Sequence, residues 1–96
     1  MNIPQRKHYP KGLWIRGEWW RIQFVSTLID EDGKELLGLC DYLECLILVR
    51  TRQTPSQRFS TFIHEVIHAL HPEADENQVL RWEPVYLDFF LRNFFT

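Results

Sequence analysis

The sequence predicts an α+β domain, a small antiparallel sheet of about four strands followed by two helices. Three observations carry that expectation. From Gly12 to Thr51 apolar and polar residues alternate in short runs rich in β-branched and aromatic side chains, the pattern of half-buried strands. From Pro55 onward the apolar spacing changes to that of helices. Strands come first and helices after, with no repeat and no linker between them, which is the order of an α+β fold.

Met1 to Lys11 reads as an irregular arm with two prolines. Gly12 to Ser26 supplies a short strand and a longer one, with Gly17-Glu18 as the tight turn between them. Asp30-Glu31-Asp32-Gly33-Lys34 is a turn. It superficially resembles a calcium loop, but its acidic residues miss the positions such a loop needs. Glu35 to Cys40 and Cys45 to Thr51 complete the sheet, and the second, the more apolar, is expected at its centre.

The first helix should run from Pro55 to His71, with Thr54 as N-cap, Pro55 at the first helical position and Pro72 as the stop. Asp75 can cap a second helix starting at Glu76, which Pro84 should kink or split. That helix is rich in rings: Trp82, Tyr86, Phe89, Phe90, Phe94 and Phe95. A domain this small can hardly bury all six, so the helix is also a candidate homodimer surface.

The chain has 96 residues, 45% of them hydrophobic, which predicts one domain over residues 1–96 with a modest core. A net charge of −2 gives no global attraction to nucleic acid or anionic membrane. The polar start and the absence of a long uncharged apolar run predict a cytoplasmic protein with neither secretory leader nor membrane span. Cys40 and Cys45 are then expected as reduced thiols in or near strands.

The feature that points to chemistry is His64-Glu65-Val66-Ile67-His68. Histidines four apart lie one turn apart on one helix face, so both imidazoles can reach one metal ion, and the intervening glutamate can take a proton from metal-bound water. With His64 set at zero and about 100° per residue, His68 falls near 40° and His71 near −20°. Phe59, Phe62, Ile63, Val66, Ile67, Ala69 and Leu70 occupy the opposite arc. The histidines therefore face away from the greasy side. HExxH on a helix is the signature of zinc peptidases of the zincin type, with Zn²⁺ as cofactor and Glu65 as general base.

A catalytic zinc takes three protein ligands and leaves a fourth position for water. The third should come from downstream. Glu76 comes first, because a returning chain would bring the start of the second helix over the first. Glu83, two turns further on the same face, is the main alternative, followed by His71, Glu73 and Asp75. Carbonyl oxyanion stabilisation would need a further donor, for which His71, Tyr42 and Tyr86 are the nominees. A peptide or protein substrate would pair with an exposed strand edge, expected at Glu35 to Cys40.

The run FSTFIHEVIHAL, Phe59 to Leu70, resembles the T-L-L-H-E-L-L-H-A segment of small zincin-like proteins encoded by tailed bacteriophages and prophages, distant relatives of the ImmA/IrrE and SprT-like metallopeptidases. Gly38-Leu39-Cys40-Asp41 resembles that family's G-x-x-D strand end, and Leu46 to Val49 its strand entering the metal helix. Glu76 to Val79 and Leu91 to Asn93 resemble its E-x-x-V … L-x-x-N second helix. The resemblance spans Gly12 to Asn93 loosely, and only HExxH is sharply specific. It implies a minimal zincin-like fold, His64, His68 and Glu76 as zinc ligands, Glu65 as base, and action in a host cytoplasm. The connection from Ala69 to Asp75 is shorter than the family's usual one.

Two rival readings belong to other classes. A non-catalytic phage accessory or protein-binding module would keep the fold with structural zinc or none. Nucleic-acid association would use the rings and cations interleaved at Trp14, Arg16, Trp19, Trp20 and Arg21. The acidic total argues against the latter.

Overall fold

A computed structural model describes residues 3–5 and 8–94, which form the order β1 (Gly12–Ile15), β2 (Glu18–Val25), β3 (Gly38–Asp41), β4 (Leu46–Arg50), α1 (Pro55–Leu70) and α2 (Glu76–Asn93). The α+β class and the four strands are those expected. The β1–β2 turn lies one residue earlier than expected, at Arg16 and Gly17, whose φ values of 53° and 80° suit the twist of a two-residue hairpin. Glu18 is thereby freed to open β2 opposite Ile15.

The sheet order is β1-β2-β4-β3, and the sheet is mixed rather than wholly antiparallel. β2 and β4 run parallel, with Ile22 opposite Ile47 and Phe24 opposite Val49. Composition explains the arrangement. β4 is apolar on both faces and suits an interior position, whereas β3 carries Gly38 and Asp41 and takes the edge. Ile47 and Val49 are completely buried, as the centre of the sheet requires.

Both helices lie on one face of this sheet. α1 packs on β3 and β4, and α2 packs on α1. The core joins Ile15, Trp20, Ile22, Ile47 and Val49 of the sheet to Phe59, Phe62, Ile63, Val66 and Ile67 of α1 and to Val79 and Phe90 of α2. Each such side chain contributes about 1.5–3 kcal/mol through removal of apolar surface from water. The N-terminal arm is irregular but anchored. Tyr9 is buried, with its ring 5.0 Å from those of Phe24 and Phe62.

The expected caps are both present. Thr54 and Gln57 bond reciprocally at the start of α1, and Asp75 and Gln78 do so at the start of α2. α1 ends at Leu70, with His71 as its C-cap. α2 is one continuous helix through Pro84, not two. Proline removes the amide that would donate to the Leu80 carbonyl, but Leu80 and Pro84 are exposed, so water can reach that group. Of the six rings, Phe90 is buried, Trp82 and Tyr86 half-buried, Phe89 and Phe94 exposed, and Phe95 lies outside the described residues.

The sheet's other face has no covering layer among the described residues. Trp14 and Trp19 pair across β1 and β2 there, 5.3 Å apart, beside Arg21. Trp20 points the opposite way into the core, so the ring-and-cation run is divided between the two faces. Cys40 and Cys45 are free thiols. No described helix is long and apolar enough to cross a membrane.

Candidate metal centre

The apolar arc of α1 decides where its histidines go. Phe59, Phe62, Ile63, Val66 and Ile67 are at most 1% exposed, so the helix cannot rotate about its axis without tearing them from the core. His64 and His68 are held on the opposite side, each side chain 19% exposed, with ring centroids 4.9 Å apart. The five-residue return, 71–75, then brings the capped start of α2 over them.

Glu76, the first residue of α2, lies against both imidazoles. Its carboxylate is 3.2 Å from His64 Nε2 and 2.5 Å from His68 Nε2. Among the described residues, His64, His68 and Glu76 form the one group of three whose ligand atoms lie within 4.8 Å of one another. Donors held 2.0–2.1 Å from a tetrahedral zinc stand roughly 3.3 Å apart. The His64–Glu76 contact already matches that separation, and the His68–Glu76 contact would widen by roughly 0.8 Å. Two imidazoles and one carboxylate are also a donor set that suits a catalytic zinc.

The carboxylate–imidazole contacts perturb both partners. For His64, burial lowers the pKa, but the Glu83 hydrogen bond and the charges of Glu65 and Glu76 outweigh it, and the net shift is upward. For Glu76, burial raises the pKa, and the His68 hydrogen bond together with both imidazoles brings it below the ordinary value.

Glu65 lies between the histidine side and the apolar side of α1, with 9% of its surface exposed. Burial, reinforced by the charges of Glu76 and Glu83 and opposed by His64, raises its pKa to about 7. A carboxylate there is poised to accept a proton near neutral pH. A groove of about 430 Å³ opens beside it, between the approach to β3 and α2. Glu35, Leu36, Leu37 and Gly38 line one wall, Leu80 and Glu83 the other, and Gln57, Ser60, Thr61, His64 and Glu65 the floor. β3 is a sheet edge whose first residue, Gly38, lines this groove. The edge strand expected at Glu35 to Cys40 is shifted to Gly38–Asp41, because Glu35 and Leu36 pair back on Ile29 and Leu28 instead.

The remaining expected site residues are occupied elsewhere. Glu83 bonds His64 at Nδ1, 3.2 Å away, and accepts a hydrogen bond from Ser60. The Nδ1 and Nε2 lone pairs point to opposite sides of the ring, so Glu83 cannot share an ion with the Nε2 cluster. His71 Nε2 is 2.8 Å from the Tyr86 hydroxyl, and its ring packs 4.6 Å from that of Trp82. Tyr42 donates its hydroxyl to the His68 carbonyl at 2.8 Å. All three oxyanion nominees are therefore engaged in structural hydrogen bonds. Glu73 pairs with Arg16 at 3.8 Å, and Asp75 is the α2 cap. Sequence reasoning missed Ser60, although its position one turn before His64 on the same face was a usable signal. Comparison with protein-family models, curated proteins and solved structures gives no match.

Proposed function

We propose that this chain is a zinc-dependent metallopeptidase with His64, His68 and Glu76 as ligands and Glu65 as general base. The observation that carries the proposal is the convergence of three donors of the right chemistry beside a buried carboxylate and an open groove. Bound zinc would supply a water of lowered pKa and a Lewis acid for the scissile carbonyl. Glu65 takes a proton from the attacking water and delivers it to the leaving amine. The groove wall at β3 takes the peptide as an added strand, orienting its carbonyl toward the histidines. By its sequence resemblance the peptidase is phage- or prophage-encoded and acts in the host cytoplasm.

A protein-binding module is the second reading, favoured by the uncovered sheet face with Trp14 73% exposed. One experiment separates the two. Metal content is measured on protein purified without a metal-affinity tag, beside His68→Ala and Glu76→Ala, and cleavage of a fluorescent casein is followed with and without Glu65→Gln. The peptidase reading expects about one zinc per chain, lost in His68→Ala and weakened in Glu76→Ala, and turnover abolished by Glu65→Gln with metal retained. A parent that takes up no zinc on dialysis refutes it.

A further inference from the structure

The geometry points to Glu83 as the positioning residue that fixes His64 for metal binding. The inference rests on the reading that His64, His68 and Glu76 hold zinc. A carboxylate at Nδ1 requires the ring proton to reside there, because an ionised carboxylate can only accept. The neutral imidazole is then held in the tautomer whose free lone pair lies on Nε2, the nitrogen that faces Glu76 and His68.

Glu83 is itself fixed. One oxygen takes the Ser60 hydroxyl and the other the His64 ring, and its side chain is only 15% exposed. Ser60 and His64 are one helical turn apart on α1, so Glu83 bridges successive turns of the metal helix from α2. His68 has no equivalent. Its one side-chain hydrogen-bond partner among the described residues is Glu76. The two histidines are thus unequal: His64 is oriented before metal arrives, and His68 is oriented by the metal side alone. Partners that orient ligating histidines typically contribute 10–100-fold in metal affinity.

The test is a zinc titration of the full chain against a competing fluorescent chelator, with Glu83→Gln, Glu83→Leu and Ser60→Ala. It is paired with nitrogen-15 NMR of the histidine rings in the metal-free proteins. Glu83→Leu should lower affinity 10–100-fold. Glu83→Gln, which keeps an acceptor oxygen, should lose less, and Ser60→Ala less again. The His64 ring should show the Nδ1–H tautomer in the parent and a mixture in Glu83→Leu, a change that a merely structural residue would not produce. Melting of the metal-free variants measures separately what the α1–α2 bridge contributes to stability. A lowered Tm in Glu83→Leu with zinc affinity unchanged would mark Glu83 as merely structural and overturn the inference. Equal zinc affinity and an unchanged tautomer in Glu83→Leu would overturn the inference while leaving the peptidase reading intact. A parent without zinc affinity would overturn both.

Discussion

Gly38 and Glu65 meet across the gap between the edge strand β3 and α1, and they can do so only because position 38 has no side chain. A methyl group there would stand 3.0 Å from the Glu65 carboxylate and 2.6 Å from the Thr61 methyl. Thr61 has little freedom to turn aside, because its hydroxyl is bonded to Gln53 at 2.8 Å. Gly38→Ala should therefore push Glu65 out of position, cost about 1–3 kcal/mol of stability from overpacking, and leave the histidines untouched. The expected result is retained zinc with much-reduced casein cleavage. Full turnover in this variant would show that Glu65 does not need its present place.

Glu65 should also be a stability liability in the metal-free protein. Its folded pKa is about 7, above the ordinary 4.5. The folded state therefore holds this proton more tightly than the unfolded chain does. The associated stability is complete below about pH 4 and is lost as pH rises through 7. Glu65→Gln removes that dependence. Urea denaturation in chelator should find the variant about 1–3 kcal/mol more stable than the parent at pH 8, with the difference closing toward pH 4. A constant difference at both values would contradict the burial argument.

Zinc should stabilise the fold by mass action. At a free concentration of 100 times Kd the gain is about 2.7 kcal/mol, a rise in Tm of roughly 10–20 °C for a domain of this size. Protons compete for the same nitrogens, and the upward net shift at His64 means that competition starts at a higher pH than for an isolated histidine. The zinc-induced rise should therefore shrink steadily from pH 7.5 to 5.5, and it should be absent throughout in His68→Ala.

Asp75 and Thr54 offer a matched pair of substitutions. Each caps a helix with the same reciprocal box, so replacement by alanine should cost about 1 kcal/mol in either case. The consequences for metal differ. Glu76 follows Asp75 directly, and a frayed first turn of α2 should weaken zinc up to about fivefold, the equivalent of that 1 kcal/mol. Thr54 lies at the far end of α1 from His68, and Thr54→Ala should leave zinc affinity unchanged. Equal losses in the two variants would mean that the effect is global.

Much of this arrangement was legible because it depends on neighbours in sequence. Helical spacing placed His64, Glu65 and His68, and the caps at Thr54 and Asp75 follow from residue chemistry within three positions. The choice of Glu76 over Glu83 was only ranked, since both share a face of α2. What separates them is the ring nitrogen each meets, a fact of tertiary packing. The parallel pairing of β2 with β4 was hidden for a related reason. Each strand looks the same whichever neighbour it takes, and the competition between β3 and β4 for the inner place is settled by the whole sheet. His71 shared the histidine face by angle, but the helix ends at Leu70, and the capping residue is directed to Tyr86 instead.

The mixed sheet makes the molecule two local hairpins joined by one seam. Within β1–β2 and β3–β4 the partners are close in sequence, whereas across β2–β4 every pair is 25 residues apart, Arg21 with Leu46 through Val25 with Arg50. Hairpins close in microseconds, and the distant pairing meets the larger entropic cost. Folding speed should therefore be governed by the β2–β4 seam. Ile47→Val should slow refolding in a chevron experiment, while Leu13→Ala, at the outer strand, should chiefly hasten unfolding. α1 follows β4 in the chain and packs on β3, β4 and α2. The dry surroundings of Glu65 therefore belong to the half of the molecule built on the second hairpin, and the seam adds the first hairpin to that half rather than completing the pocket.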